Sequence, residues 1–164
     1  MQHRQIEHLA AALSSTGKDC FMNQTVVRPR IPLAVLTIWI FLQLPRFIAW
    51  PLIHSVVTGS DPAAWLFPAL IDIVVAVSGL PLAALAWTRP RLGTWVYALV
   101  WLTLSIFDHA SAMTAFYIAG VPSVFRRFGE GGLTVPAMQS LLDIGVFSML
   151  YAKRVRAYFL QTLG

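Results

Sequence analysis

Residues 63–87 read AAWLFPALIDIVVAVSGLPLAALAW, an apolar run that holds a single ionisable side chain, Asp72. A helix needs about 20 such residues to cross the hydrocarbon of a bilayer. The run is continuous and does not alternate, which separates it from the ten-residue strands of a membrane barrel. Outward from it lie three more stretches of the same kind. The first is 31–57 (IPLAVLTIWIFLQLPRFIAWPLIHSVV), interrupted by Pro45 and Pro51; the others are 92–118 and 133–151. The fold class expected is an all-α membrane protein, a four-helix transmembrane bundle with short loops. Its connections are the turn-forming Thr58-Gly59-Ser60-Asp61-Pro62, the tight basic Thr88-Arg89-Pro90-Arg91, and a longer loop, 119–132.

Composition agrees with this frame. Of the 164 residues 57% are hydrophobic and only 12% charged, with a mean hydropathy of +0.68, whereas soluble domains carry about 25% charged residues. The length allows one domain and no separate catalytic module. We divide the chain into a polar cytoplasmic tail (1–30), a transmembrane domain (31–156) and a cytoplasmic C-terminus (157–164). Within the tail, Ile6, Leu9, Ala10 and Leu13 could share one face of a short helix, and Met22 is a second candidate start. No secretory signal is expected ahead of the first span, since no short apolar run with a small-residue cleavage site is seen there. Cys20 is the single cysteine, which excludes an intramolecular disulfide, a CxxC redox pair and a thiolate cluster.

The net charge of +5 does not point to nucleic acid, because the basic residues flank the spans and form no stripe. Their placement sets an orientation instead. Arg4, Lys18, Arg28, Arg30, Arg89, Arg91, Lys153, Arg154 and Arg156 lie on one side, against Arg126 and Arg127 on the other. Cytoplasmic loops collect Lys and Arg, so both termini are expected in the cytoplasm (N-in/C-in), in a bacterial-type inner (plasma) membrane. The six tryptophans read as packing or belt residues, with Trp65, Trp87 and Trp95 near span ends.

Polar groups inside the spans carry the functional information. A charge at a helix centre costs about 2.5–3.5 kcal/mol on insertion scales, so Arg46, Asp72, Asp108, His109 and Asp143 each need a partner or a purpose. Counted at about 1.5 Å of rise per residue, Arg46, Asp72, Asp108 and Asp143 reach similar depths, between the midplane and the outer half, and could meet in one layer. Helical spacing groups Trp39, Gln43, Arg46, Trp50 and His54 on one face of the first span, and Pro136, Gln139, Asp143 and Phe147 on one face of the fourth. On the third span Ser105, Asp108 or His109, Ala112 and Tyr117 form a looser face. Asp108 and His109 sit about 100° apart, so only one should point straight into the bundle.

One arginine against three aspartates leaves two negative charges uncompensated. A protonated His109 would offset one, and the rest calls for protons on carboxyls, a bound cation or water. The candidate binding residues are therefore Arg46, Asp72, Asp108, His109, Asp143, Gln43, Trp50 and Gln139. The acids and His109 are suitable metal ligands by type, but no HExxH-like spacing fixes two of them, so no metal site is assigned and no cofactor is named. No nucleophile elbow, P-loop or dinucleotide fingerprint is present, and no catalytic residue is assigned.

The leading expectation is transport or binding: a small cation, a proton or a polar solute taken up through an outward-facing intramembrane polar site. A homo-oligomer is expected as well, since four helices enclose little volume. Two alternatives differ in what they require. A membrane enzyme using Asp/His acid–base chemistry on a lipid-soluble substrate needs an apolar groove beside the acids. An accessory subunit of a membrane complex should turn its charges outward, toward partner helices.

Overall fold

A computed structural model describes residues 28–126 and 134–160 of the chain. The polar tail with its Ile6–Leu13 stretch, part of the 119–132 loop and the last four residues lie outside the described residues.

The described chain is helical, with no strand. Its helices are α1 (Arg30–Leu42), α2 (Ala49–Val57), α3 (Leu66–Thr88), α4 (Leu92–Ala119), α5 (Thr134–Leu150) and α6 (Lys153–Leu160). Three segments, Arg30–Val57, Ala63–Thr88 and Leu92–Ala119, are long and apolar enough to cross a membrane. The pair α5 and α6, bent by 64° at their junction, makes a fourth if counted as one span. The outer surface fits a lipid solvent. Ile31, Ile38, Phe41, Phe47, Val74, Val77, Val100, Phe107, Ile118 and Leu141 are all exposed, a density of apolar surface that a water-soluble monomer rarely shows.

The first span is broken at Pro45, whereas Pro51, also expected to interrupt it, lies in the first turn of α2. Pro45 has no N–H to offer the carbonyl one turn back, and it disfavours helical geometry at Leu44. α1 therefore stops at Leu42, and a 3₁₀ turn (Leu44–Ile48) carries the chain into α2. Its bonds are short-range: Gln43 N–H to the Ile40 carbonyl and Arg46 N–H to the Gln43 carbonyl. The second span keeps Pro81 inside α3. Two carbonyls on the two turns before it accept side-chain donors, Val75 from Trp101 Nε1 at 2.9 Å and Ser78 from Tyr97 Oη at 2.6 Å.

The core is divided. One apolar cluster joins Leu33, Leu36 and Ile40 of α1, Val75, Leu82 and Ala86 of α3, Trp101 and Leu102 of α4, Leu150 of α5, and Val155 and Phe159 of α6. A second joins Ala49 and Leu52 of α2, Ala69 of α3 and Ala115 of α4 with Trp65, and no α5 side chain belongs to it. Buried Gln43, Arg46, Ser105, Asp108, His109 and Asp143 fall between the two.

The loops at the second cluster's end are tied together. Gly120 ends α4 with φ of +74°, a left-handed conformation that favours glycine, and its carbonyl accepts Trp65 Nε1 at 3.1 Å. Asp61, 6% exposed, accepts hydrogen bonds from Ser55 Oγ (2.6 Å), Ser123 N–H (2.8 Å) and Ser123 Oγ (2.6 Å). Burial alone would raise the Asp61 carboxyl. The Ser123 and Ser55 hydrogen bonds outweigh it, with Arg126 adding to them, and hold the carboxyl below its ordinary value.

Candidate functional site: a polar seam centred on Arg46

The proline break places Arg46 at the level of the polar residues of the other spans, 7% exposed. An arginine can only donate, through five N–H groups in a fixed fork, and here each finds an acceptor. Nε donates to Gln43 Oε1 at 2.6 Å. Nη1 donates to Asp72 Oδ1 at 2.9 Å and Asp108 Oδ2 at 2.5 Å, and Nη2 to Ser105 Oγ at 2.7 Å and His109 Nε2 at 2.6 Å. Ser105 Oγ passes the chain on to Asp143 Oδ2 at 2.7 Å, and Trp39 Nε1 donates to Asp143 Oδ1 at 2.6 Å. One connected network thus spans α1, the 3₁₀ turn, α3, α4 and α5.

Arg46, Asp72, Asp108, His109, Asp143 and Gln43 therefore converge in one layer, and Gln139 flanks His109, half-buried. Trp50 does not join them. It is 67% exposed, and His54 is exposed as well. The stripe drawn through Trp39, Gln43, Arg46, Trp50 and His54 assumed an unbroken helix. A 3₁₀ turn advances about 120° per residue instead of about 100°, so five residues of it swing α2 out of phase. Tyr117, placed on the inner face of α4, is also exposed.

A second correction concerns the neighbours on α4. Asp108 and His109 are both buried, at 1% and 3% exposure. Their angular separation lets them grip the guanidinium from either side, Asp108 at Nη1 and His109 at Nη2. A third follows from the donors. Arg46 cannot accept, so His109 Nε2 must, and the ring proton sits on Nδ1, 3.4 Å from Asp143 Oδ2. His109 is neutral in this arrangement and does not supply the compensating charge.

Ser105 and Trp39 are part of the site although the sequence reading did not select them as binding residues. Both lay on the inward stripes, and their neutral side chains raised no cost that demanded a partner. Three buried polar atoms have no hydrogen-bond partner among the described residues: Gln43 Nε2, Asp108 Oδ1 and His109 Nδ1. The Asp72 side chain keeps 27% of its surface exposed, against 2% for Asp108 and 0% for Asp143, so Asp72 is the carboxyl of the seam that meets the outside. Among the described residues no group of three or more His, Cys, Asp or Glu side chains is arranged to hold a metal ion.

Comparison of the chain with protein-family models, with curated proteins and with solved structures finds no match.

Proposed function

We propose that the seam is an intramembrane binding site for a proton or a small monovalent cation, and that the chain is a small four-span membrane protein, N-in/C-in, that takes up or passes this charge through Asp72. The observation that carries the reading is the imbalance of the network. Three carboxyls share one guanidinium and a neutral imidazole, in a layer from which all but Asp72 are sealed. In low dielectric such a cluster attracts positive charge. Unpartnered Asp108 Oδ1 offers an acceptor for it beside Asp72. On the side of the second apolar cluster the seam is covered by α2, α3 and α4 without help from α5, which supports access from that side. The inward-turned charges speak against an accessory subunit that pairs them with partner helices.

The test is a series of Asp72→Asn, Asp108→Asn and Asp143→Asn, made separately. Stability and cation or proton uptake would be compared with the parent between about pH 5 and pH 8. Asn keeps the volume and much of the hydrogen bonding of a protonated acid. At least one variant should fold normally and lose uptake, since Asn cannot ionise. Three variants that all keep the parent's pH profile would reduce the seam to scaffolding.

A membrane enzyme is the second reading, favoured by a shallow apolar groove between α3 and α4. It is lined by Phe67, Pro68, Phe107, Ala110, Thr114 and Ile118 among others, with Phe107 adjacent to Asp108 in the chain and Pro68 one turn from Asp72. Turnover of a lipid-soluble substrate that disappears in Asp108→Asn, with cation uptake absent from the parent, would favour this reading.

A further inference from the structure

The end of the bundle opposite the Asp61–Ser123 contact carries an unbalanced charge. Arg28, Arg30, Arg89, Arg91, Lys153, Arg154 and Arg156 are all exposed there. The acidic side chains among the described residues lie elsewhere: Asp72, Asp108 and Asp143 in the seam, and Asp61 at the far loops.

These cations are drawn from separate parts of the chain, and two of them, Arg28 and Arg156, lie over aromatic rings. Arg28 donates to the Trp87 carbonyl and stacks over the Trp87 ring, 4.6 Å from its centroid. Trp95 Nε1 donates to the Leu150 carbonyl at 3.1 Å, its ring meets Tyr151 edge-on at 5.5 Å, and Arg156 lies 6.0 Å from it. Tryptophan and tyrosine mark the headgroup level of a bilayer, so in a bilayer this rim would lie at the level of the lipid phosphates.

α6 adds a built surface to this rim. The 64° bend turns it away from the direction of α5. Val155, Tyr158 and Phe159 are buried against the core, and Lys153, Arg154 and Arg156 remain exposed. The apolar face of α6 is thus spent on the protein, and its basic face is what it presents at the rim.

We propose that this rim, with α6 at its centre, binds the headgroups of anionic phospholipids. The inference requires that the chain spans a bilayer, and it is independent of what the seam binds. Basic residues at the level of lipid phosphates are attracted to anionic headgroups, by about fivefold in affinity per charge.

The test uses the purified full-length protein in detergent, titrated with phosphatidylglycerol, phosphatidylcholine or inorganic phosphate while thermal stability is followed. Phosphatidylglycerol should stabilise at concentrations at least about tenfold lower than phosphatidylcholine, and inorganic phosphate should not replace it. Combining Lys153→Gln, Arg154→Gln and Arg156→Gln should weaken the phosphatidylglycerol effect about a hundredfold, at about fivefold per charge. Arg126→Gln, at the other end, should change it less than about twofold. If the triple variant does not fold, the pair Arg89→Gln and Arg91→Gln serves instead, with about a twenty-five-fold loss expected. Equal response to the two lipids, full substitution by inorganic phosphate, or an unchanged response in the rim variants would each overturn the proposal.

Discussion

A guanidinium with five acceptors differs from an ammonium in the same place, because its donors are fixed in a plane and reach opposite sides at once. Arg46 uses this to hold Asp72 and Asp108 on one nitrogen and Ser105 and His109 on the other. Arg46→Ala strands those groups and should cost about 3–5 kcal/mol, the range for breaking a buried pair from one side. Gln43→Ala removes one acceptor and an amide nitrogen that has no partner, so its cost should stay near 1–3 kcal/mol. Thermal or denaturant unfolding in detergent would compare them, and equal losses would sink the idea that Arg46 organises the seam. At this scale the charged members of the site were legible, because an ionisable group in lipid announces itself through its cost. Trp39 and Ser105 were not, since neutral donors are tolerated at many interior positions. Trp50 was misplaced for a backbone reason, the phase shift across Leu44–Ile48.

Elements approach one another closely at Gly79 on α3. A Cβ built there would lie 2.9 Å from Ile40 Cγ2 and 3.3 Å from Trp101 Cζ2, and both neighbours are buried in the apolar cluster with no room to retreat. Gly79→Ala should therefore destabilise by about 1–3 kcal/mol through overpacking, despite the better helix propensity of alanine. Gly145 on α5 has nothing within 4 Å of the same position, so Gly145→Ala should stabilise by up to about 1 kcal/mol. Unfolding of the two variants side by side separates packing from propensity. The loop contact through Asp61 makes a different forecast. Its carboxyl is held below the ordinary value of 3.8, so its contribution is fully present above about pH 4 and is lost as pH falls through the lower folded value. Asp61→Asn should lower stability at neutral pH and flatten the loss of stability on acidification below pH 4; a variant as acid-sensitive as the parent would contradict this. Asp61 had read only as part of a turn, because its partner Ser123 is 62 residues away and no local pattern connects them. The apolar stretches and the break at Pro45, by contrast, were readable from the local sequence, while Pro51, read as a second interruption, lies inside α2.

For the whole molecule, the proposed orientation rests on the excess of Lys and Arg at one end. In a background with Cys20 replaced, Ser60→Cys should react with an impermeant thiol reagent in intact cells, and Ala152→Cys should react only after the membrane is opened. The reverse pattern would turn the protein over and move the exposed side of Asp72 with it. The separation of long apolar helices was legible because lipid imposes length and composition on each. The bend between α5 and α6 was not: Lys153, Arg154 and Arg156 read as the end of a span, while Val155, Tyr158 and Phe159, which turn the helix back onto the core, are too few to stand out in a hydropathy pattern.

The seam also bears on how the chain is made. Helices leave the ribosome in order, and a lone first span would carry Arg46 into lipid at about 2.5–3.5 kcal/mol. Asp72 follows only 26 residues later, so the first two spans can enter as a matched hairpin. Asp108 comes 62 residues after Arg46, and Asp143 comes 104 residues after its donor Trp39. Asp72 alone balances Arg46, so the later spans add carboxyls beyond charge balance, and the last one closes the network through Ser105. A chain cut short before Thr134 would leave the Trp39 indole and the Ser105 hydroxyl without their acceptor. The same contacts that bind the finished bundle are thus incomplete in a truncated product.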